Sequence, residues 1–436
     1  MKTKKLFNKD FTIMATGQLI SLLGNSLQRF ALSLLILDLT RSAALFSVIL
    51  AITYLPQIFL APFGGVIADR FNKQKIMVIL DTISGSILLI FTLFFLHENA
   101  AQILPIAILM GVMAIIQSIY DPSVRASIPV VTDAGNLIQA NSIVSAVSSL
   151  TNLFSPIVAG FLYGIYRIRI IFIINIVSFY SSAVMELFVA IPSTKLENSK
   201  KAMSFCQDIK DTLQLLIHQK PLIFRFMLIA CSFNLFLLPV YSVGLPYVEK
   251  IIIGVSDEMY GISEGLVGAG MIAGAFLTSA ISKKLPFQKM HFYFSAIAVL
   301  IFGMGCSTFL GTNLKNGLLV SYVLLTLCCV LFTCILTIVN IMNLTYMQTE
   351  IPEEYMGKSM ALIMSLSIAL MPIGQIIFGN LYDIFKNSVY SIYILVAVIM
   401  LVITFITKRI ILDYFGCKIK KTTCASPKME EQNERI

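Results

Sequence analysis

Twelve stretches of this chain are each long and apolar enough to cross a membrane, and that restricts the fold more than any motif does. About 20 largely apolar residues span roughly 30 Å of hydrocarbon. Runs of that kind cover residues 12–37, 44–67, 76–96, 103–121, 138–163, 170–191, 222–247, 262–282, 291–311, 317–342, 358–382 and 388–407. An unpaired backbone amide in lipid costs several kcal/mol, so such runs must be helical. The expected fold class is an all-α membrane protein, with twelve transmembrane helices in two six-helix bundles. Composition agrees: 57% of the 436 residues are apolar, 13% are charged and Trp is absent, which argues against a soluble globular protein.

One long polar stretch, Pro192 to Lys220, divides the runs six and six. The expected organisation is therefore an N-terminal bundle (1–191), a cytoplasmic linker (192–221), a C-terminal bundle (222–409) and a cytoplasmic tail (410–436). Inside the linker, Phe205, Ile209, Leu213 and Leu216 share one side at helical spacing, which predicts a short surface helix from Ser204 to Ile217.

Charge gives the orientation. With the N-terminus inside, 25 Lys and Arg fall on the inner side and 6 on the outer, so both termini are expected in the cytoplasm of a multi-pass plasma-membrane protein. The net charge of +9 follows from this asymmetry, not from a nucleic-acid surface. Lys2, Lys4 and Lys5 precede the first run, but that run exceeds a signal peptide's apolar core and carries Gln18, Asn25 and Arg29, so it reads as helix 1. None of the eight cysteines falls in an outer loop and the three histidines lie far apart, so neither a disulfide framework nor a metal site is expected, and no cofactor is implied.

Polar residues inside the runs mark a candidate interior path. Gln18, Asn25 and Arg29 fall on one face of helix 1, and Arg29 is the one cation in the middle of a run. Gln117, Tyr120 and Asp121 follow one face of helix 4, ahead of Pro122 and of Arg125, which is spaced to pair with Asp121. Helix 5 carries Asn141, Ser145, Ser148, Asn152 and Ser155 as a stripe that ends at Pro156. Asn234, Asn340, Pro372 and Gln375 add to it from the second half. Such a lining, weakly polar with few fixed charges, suits a large, mostly apolar small molecule. Gly268-x-Gly270-x-x-x-Gly274 has the wrong spacing for a dinucleotide fingerprint and reads as helix packing. Gly357-Lys358-Ser359 lacks the upstream Gly of a phosphate loop, because position 352 is Pro.

Between the second and third runs lies Gly65-Val-Ile-Ala-Asp69-Arg70-Phe-Asn72-Lys73-Gln-Lys75. It resembles the helix 2–3 loop of major facilitator superfamily transporters, with Asn72 where the pattern has Gly. Asn tolerates positive φ, so a tight turn is expected to survive the exchange. Pro156 to Gly160 is similar to a reduced form of the helix 5 motif of that superfamily's exporters, and Pro372-Ile-Gly374 is its counterpart in the second half. With Gly17-Gln18-Leu19-Ile20-Ser21, Leu55-Pro56, Tyr120-Asp121-Pro122-Ser123 and Glu354-Tyr355-Met356-Gly357-Lys358, these pieces resemble the macrolide-efflux type permeases. That resemblance implies a monomeric, non-enzymatic secondary transporter that exports an amphipathic small molecule by proton antiport as two bundles rock about a central cavity. The alternatives in the same fold are a lysophospholipid or siderophore permease, or a nutrient importer. The resemblance further implies that Asp69 meets the start of helix 11 near Gly357 and Lys358, and that Lys73 pairs with Asp121 or Asp133.

Overall fold

In the computed structural model, residues 8–95, 103–132, 136–190, 210, 213–281, 289–313, 317–351 and 353–425 are described; within those spans side chains such as 61–66, 68–70, 353–358 and 415–425 are not. The described residues are almost wholly helical. Eleven segments have the length and apolarity of a membrane span, and one of them, Gln139–Leu187, is two crossings joined at Arg167, whose φ of 58° and ψ of −167° break the helix. The helices are α1 (Lys9–Thr40), α2 (Ala43–Arg70), α3 (Lys73–Phe95), α4 (Ile103–Val131), α5 and α6 on either side of Arg167 in Leu137–Leu187, α7 (Pro221–Ile253), α8 (Asp257–Ile281), α9 (Met290–Asn313), α10 (Gly317–Glu350), α11 (Glu353–Ala369 and Met371–Ile384) and α12 (Tyr390–Ala425). The all-α expectation is borne out.

Side-chain caps set several helix starts. Asn8 accepts the Phe11 amide at 2.9 Å and donates to the Val131 carbonyl at 2.7 Å, tying the start of α1 to the end of α4. Ser42 accepts the Leu45 amide at the start of α2, and Asn72 accepts the Lys75 amide at 3.2 Å at the start of α3. The expected role of Asn72 in a positive-φ turn is therefore corrected. Among the described residues the non-glycine positive φ values belong to Arg41 and Arg167, and Asn72 is used as a helix cap.

Two other boundaries differ from expectation. α4 continues to Val131 through Pro122 and Pro129 instead of stopping near Asp121, because membrane helices tolerate Pro where neighbouring groups take up the freed carbonyls. α12 stays helical to Ala425, into the segment expected as tail. Most of the expected surface helix Ser204 to Ile217 lies outside the described residues, and Leu215–Gln219 forms one wide turn leading into α7. In α7 itself, wide turns at Phe233–Leu237, Val240–Gly244 and Val248–Ile253 flank Pro239 and Pro246, whose missing N–H groups disturb the regular ladder.

α1 packs on the α5–α6 pair, α2 on α4 and α3 on α6 in one half; α9 packs on α10 and α12, and α8 on α10, in the other. The halves meet along two seams, α5 with α8 and α2 with the second part of α11. Call the face where α1 begins and α12 ends the terminal face, and the opposite one the far face. Both seams are tightest towards the far face. A Cβ on Gly160 would lie 2.7 Å from the Asp257 carbonyl oxygen, and one on Gly261 would lie 2.7 Å from the Pro156 carbonyl oxygen, so only glycine permits this backbone contact. Gly268 lies against Leu153 of α5, while Gly270 lies against Val330 of α10, which fits the packing role expected for that glycine run.

Gly261→Val would overpack the α5–α8 seam by about 1–3 kcal/mol. Spin labels at positions 41 and 386 should report a shift to longer distances in this variant. Unchanged distances would show that the seam does not hold the far face shut.

Candidate functional site

Between the halves lies a cavity of about 350 Å³. From α1 come Ser26, Arg29 and Phe30, from α2 Leu50 and Tyr54, and from α5 Asn152, Ser155 and Pro156; the other half supplies Tyr241, Ser242, Tyr260 and Glu264. A side chamber of about 110 Å³ between α1, α2 and α4 shares Arg29, Leu50 and Tyr54 with it and adds Asn25, Met110 and Gln117. The two chambers form one weakly polar space around Arg29.

Arg29 donates to Ser26 Oγ at 3.3 Å and otherwise leaves its guanidinium open to this space. Glu264 faces the cavity from α8. Its Oε2 accepts the Tyr241 hydroxyl at 2.7 Å and its Oε1 accepts the Tyr260 hydroxyl at 3.1 Å. Two donors hold the carboxyl group in one orientation. Tyr260 also stacks on Phe30 of the other half, with ring centroids 5.0 Å apart and planes 14° apart. That stacked pair joins α1 to α8 across the cavity.

The residues expected on an interior path separate into groups. Arg29, Asn152 and Pro156 line the main cavity, and Asn25 and Gln117 line the side chamber, bonded to each other at 2.9 Å. Asp121 accepts from Gln117 Nε2 at 2.5 Å, and the expected Asp121–Arg125 ion pair is not found among the described residues. The i, i+4 spacing permits that pair, but Gln117, one turn earlier, competes for the same carboxylate. Tyr120 does not share the Gln117 face. Its hydroxyl turns into the first half and donates to Glu186 Oε1 at 2.8 Å. Gln18 is buried at 8% exposure and lines neither chamber, so the helix 1 stripe does not form one continuous path. Asn141 is exposed and bonds the Leu137 carbonyl of its own helix.

In the second half, Asn234 and Asn340 line a separate pocket of about 130 Å³ with Phe226, Phe233 and Phe294. Gln375 is fully buried behind the cavity wall and donates to Ser242 at 3.2 Å, while Pro372 sits buried at the break in α11. The side chains of Gly65, Asp69, Arg70, Gly357 and Lys358 lie outside the described residues. Their backbones belong to the end of α2 and the start of α11. Lys73 and Lys75 open α3. Of the two acids expected to meet Lys73, Asp133 lies outside the described residues and Asp121 is bonded to Gln117.

Two features escape sequence reasoning. Glu264 reads as an acid near the end of a run, yet the tight α5–α8 seam brings it to the cavity wall; the Tyr260-x-x-x-Glu264 spacing is the signal that could have found it. The second is Asp383, near the end of α11. It accepts the Ala43 amide at 2.8 Å, the Ala44 amide at 3.1 Å and the Ser42 hydroxyl at 2.5 Å. A carboxylate of one half thus caps the first helical turn of the other, where unpaired amides and the helix dipole favour negative charge. Beyond it, on the far face, Asp38, Arg41, Arg167, Lys250, Asp257 and Lys386 surround a charged basin of about 530 Å³. There the Arg167 guanidinium lies 4.0 Å from both Asp38 and Asp257, and Lys250 pairs with Asp257. The Arg167 side chain is 70% exposed, so these long contacts contribute little beside the Asp383 cap.

The Major Facilitator Superfamily model matches residues 14–370. The chain belongs to the Major Facilitator Superfamily. As a member it is a membrane transport protein and not an enzyme. Macrolide efflux protein A of Streptococcus pyogenes is 23% identical over 85% of this chain and 88% of its own length. The staphyloferrin A transporter of Staphylococcus aureus is 21% identical over 88% and 90%. Among solved structures, a bacterial homologue of the iron transporter ferroportin in its inward-facing state superposes with a TM-score of 0.70 at 15% identity, covering 91% of this chain and 98% of that one. In this superfamily member, then, the space around Arg29 and Glu264 is the cavity enclosed between two six-helix halves.

A double-mutant cycle tests the wall of the side chamber. Asn25→Ala and Gln117→Ala should be non-additive, with a coupling of about 0.6 kcal/mol, the scale of side-chain hydrogen bonds between membrane helices. The buried thiols of Cys231, Cys328 and Cys329 supply the readout, thermal unfolding followed with a thiol-reactive dye. Additive losses would separate the two side chains.

Proposed function

We propose that this transporter exports an amphipathic small molecule of macrolide type across the plasma membrane in exchange for a proton, working as a monomer with its terminal face in the cytoplasm. The observation that carries this reading is the aromatic cavity between the halves, which holds one carboxyl group, Glu264, and one guanidinium, Arg29. Aromatic and aliphatic walls interspersed with small hydroxyl groups and only two charges favour a large, amphipathic ligand. The excess of Lys and Arg on the terminal face supports the orientation, and the efflux activity named for the Streptococcus pyogenes relative supports the substrate class and direction.

With the far face closed by the Asp383 cap and the glycine seam, the cavity is reached from the cytoplasm. Glu264 there gives up a proton and receives the cationic group of the substrate, while the substrate's apolar body lies against Phe30, Tyr54 and Tyr260. Arg29, on the wall of the first half, is the second charge that the substrate meets in the cavity. When the halves rock, the terminal face closes as Asp69 meets the positive start of α11, near Gly357 and Lys358. The substrate leaves outward and Glu264 takes a proton from outside. One proton enters for each singly charged substrate expelled.

The competing reading within this fold is a siderophore permease, favoured by the staphyloferrin A transporter relative and by the open guanidinium of Arg29, which suits an anionic ligand.

In drug-sensitive bacteria expressing the chain, labelled macrolide should accumulate less than in control cells. Glu264→Gln and Asp69→Asn should each return accumulation to the control level with expression unchanged, as should a protonophore. Arg29→Ala should impair efflux more than it lowers the unfolding temperature. Equal accumulation in all cells would redirect the substrate search to siderophores and lipids, and normal efflux by Glu264→Gln would remove that residue from coupling.

A further inference from the structure

Inside the first half, away from the cavity, two carboxylic acids are buried together. Asp81 of α3 is 2% exposed and Glu186 of α6 is fully buried, and each acts electrostatically within reach of the other. The groups acting on them are Ser21 from α1, Tyr120 from α4, and Ser182 from α6; no Lys or Arg is among them. Ser21 donates to Asp81 Oδ1 at 3.5 Å and Tyr120 to Glu186 Oε1 at 2.8 Å. That leaves Asp81 Oδ2 and Glu186 Oε2 buried with no hydrogen-bond partner among the described residues.

Two neutral oxygens share this condition. Ser182 Oγ, in a fully buried residue, lies against both carboxyl groups yet meets neither in hydrogen-bonding geometry. Gln18 Oε1 is likewise buried without a partner, one helical turn before Ser21 on α1. Close approach at Gly17, where a Cβ would sit 3.4 Å from Ser182 Oγ, holds α1 against α6 at this level. Four unsatisfied buried oxygens in one bundle, with two carboxylates and no basic partner among the described residues, are costly unless something positive sits among them. Carboxylate, amide and hydroxyl oxygens together make the ligand set of a hard cation.

We propose that Asp81, Glu186, Ser182, Gln18 and Ser21 form a cation site within the first half, which takes a hard, oxygen-seeking metal ion. Two carboxylates without a basic neighbour among the described residues match the charge of a divalent ion. The site lies towards the terminal face: Glu186 is in the last turn of α6, and Gln74 Nε2 donates to its backbone carbonyl at 3.1 Å. An ion there ties α1, α3 and α6 into one rigid body, so that the half rocks as a unit. This inference does not depend on the identity of the transported molecule.

The test uses the purified full-length protein in nanodiscs, with calcium, magnesium or sodium chloride added against N-methylglucamine chloride at constant ionic strength. One of the three metals should raise the unfolding temperature saturably, and the radioactive isotope of that metal should bind at one ion per chain. Asp81→Asn and Glu186→Gln should weaken binding by about tenfold or more, the scale on which losing even a supporting group acts on a metal site. Ser182→Ala, the milder change, should weaken it less, and Glu264→Gln should leave it intact. If the acid variants fail to fold, the wild-type and Ser182→Ala measurements still decide. No saturable binding of any of the three to the wild-type protein would overturn the site, as would binding that Ser182→Ala and the acid variants leave unchanged. A stability that responds to pH alone would show that the acids hold protons.

Discussion

The carboxylate of Asp383 on the first turn of α2 is the contact on which the observed arrangement depends. Two backbone amides and the Ser42 hydroxyl of one half are satisfied by a side chain of the other. At a helix start these amides have no partner within their own helix, so separating the halves here leaves them to find water. Together with the Gly160–Gly261 contact, this fixes which face is shut, and therefore from which side the cavity around Arg29 and Glu264 is reached. The proposed Asp69 contact with the start of α11 lies at the opposite end of the same α2–α11 seam. With Asp383 observed at one end and the Asp69 contact proposed at the other, the seam would act as a two-position device. In the proposed rocking cycle, capping one end competes with capping the other.

Polar groups elsewhere obey the same constraint that makes the chain helical: none can be left facing lipid without cost. Three compartments hold several of the charged ones. The central cavity has Arg29 and Glu264, the buried interior of the first half has Asp81 and Glu186, and the far-face basin has Asp38, Arg167 and Asp257. The cavity and the basin both lie between the halves, whereas Asp81 and Glu186 lie inside one of them; the proposed transport site is the first of these and the proposed ion site the last.

How much of this the sequence discloses follows from what each feature needs. The helices, their division six and six, and Arg29 as an interior cation depend on local runs of apolar residues and on one misfit within them, so they are legible. The partnership of Asn25 with Gln117 is half legible: each lies on a polar stripe, but their meeting depends on the rotation of α1 against α4. Tyr120 fails the stripe argument because one residue of offset turns its ring from the cavity to Glu186. Asn72 fails because a residue that tolerates positive φ also caps helices, and only the backbone tells which role it takes. Asp383 is invisible, since its partners are backbone amides some 340 residues earlier, and no pattern in the sequence encodes them.

In the proposed cycle Glu264 exchanges a proton for a cationic substrate across a cavity that opens to one side at a time. The most direct measurement is the lumenal pH of proteoliposomes holding the purified protein and a trapped pH dye, after a macrolide gradient is imposed without a membrane potential. Protons should move opposite to the macrolide, in a ratio near one to one, and should not move in Glu264→Gln vesicles. Macrolide flux with no accompanying pH change, or an equal pH change in the Glu264→Gln vesicles, would contradict that cycle.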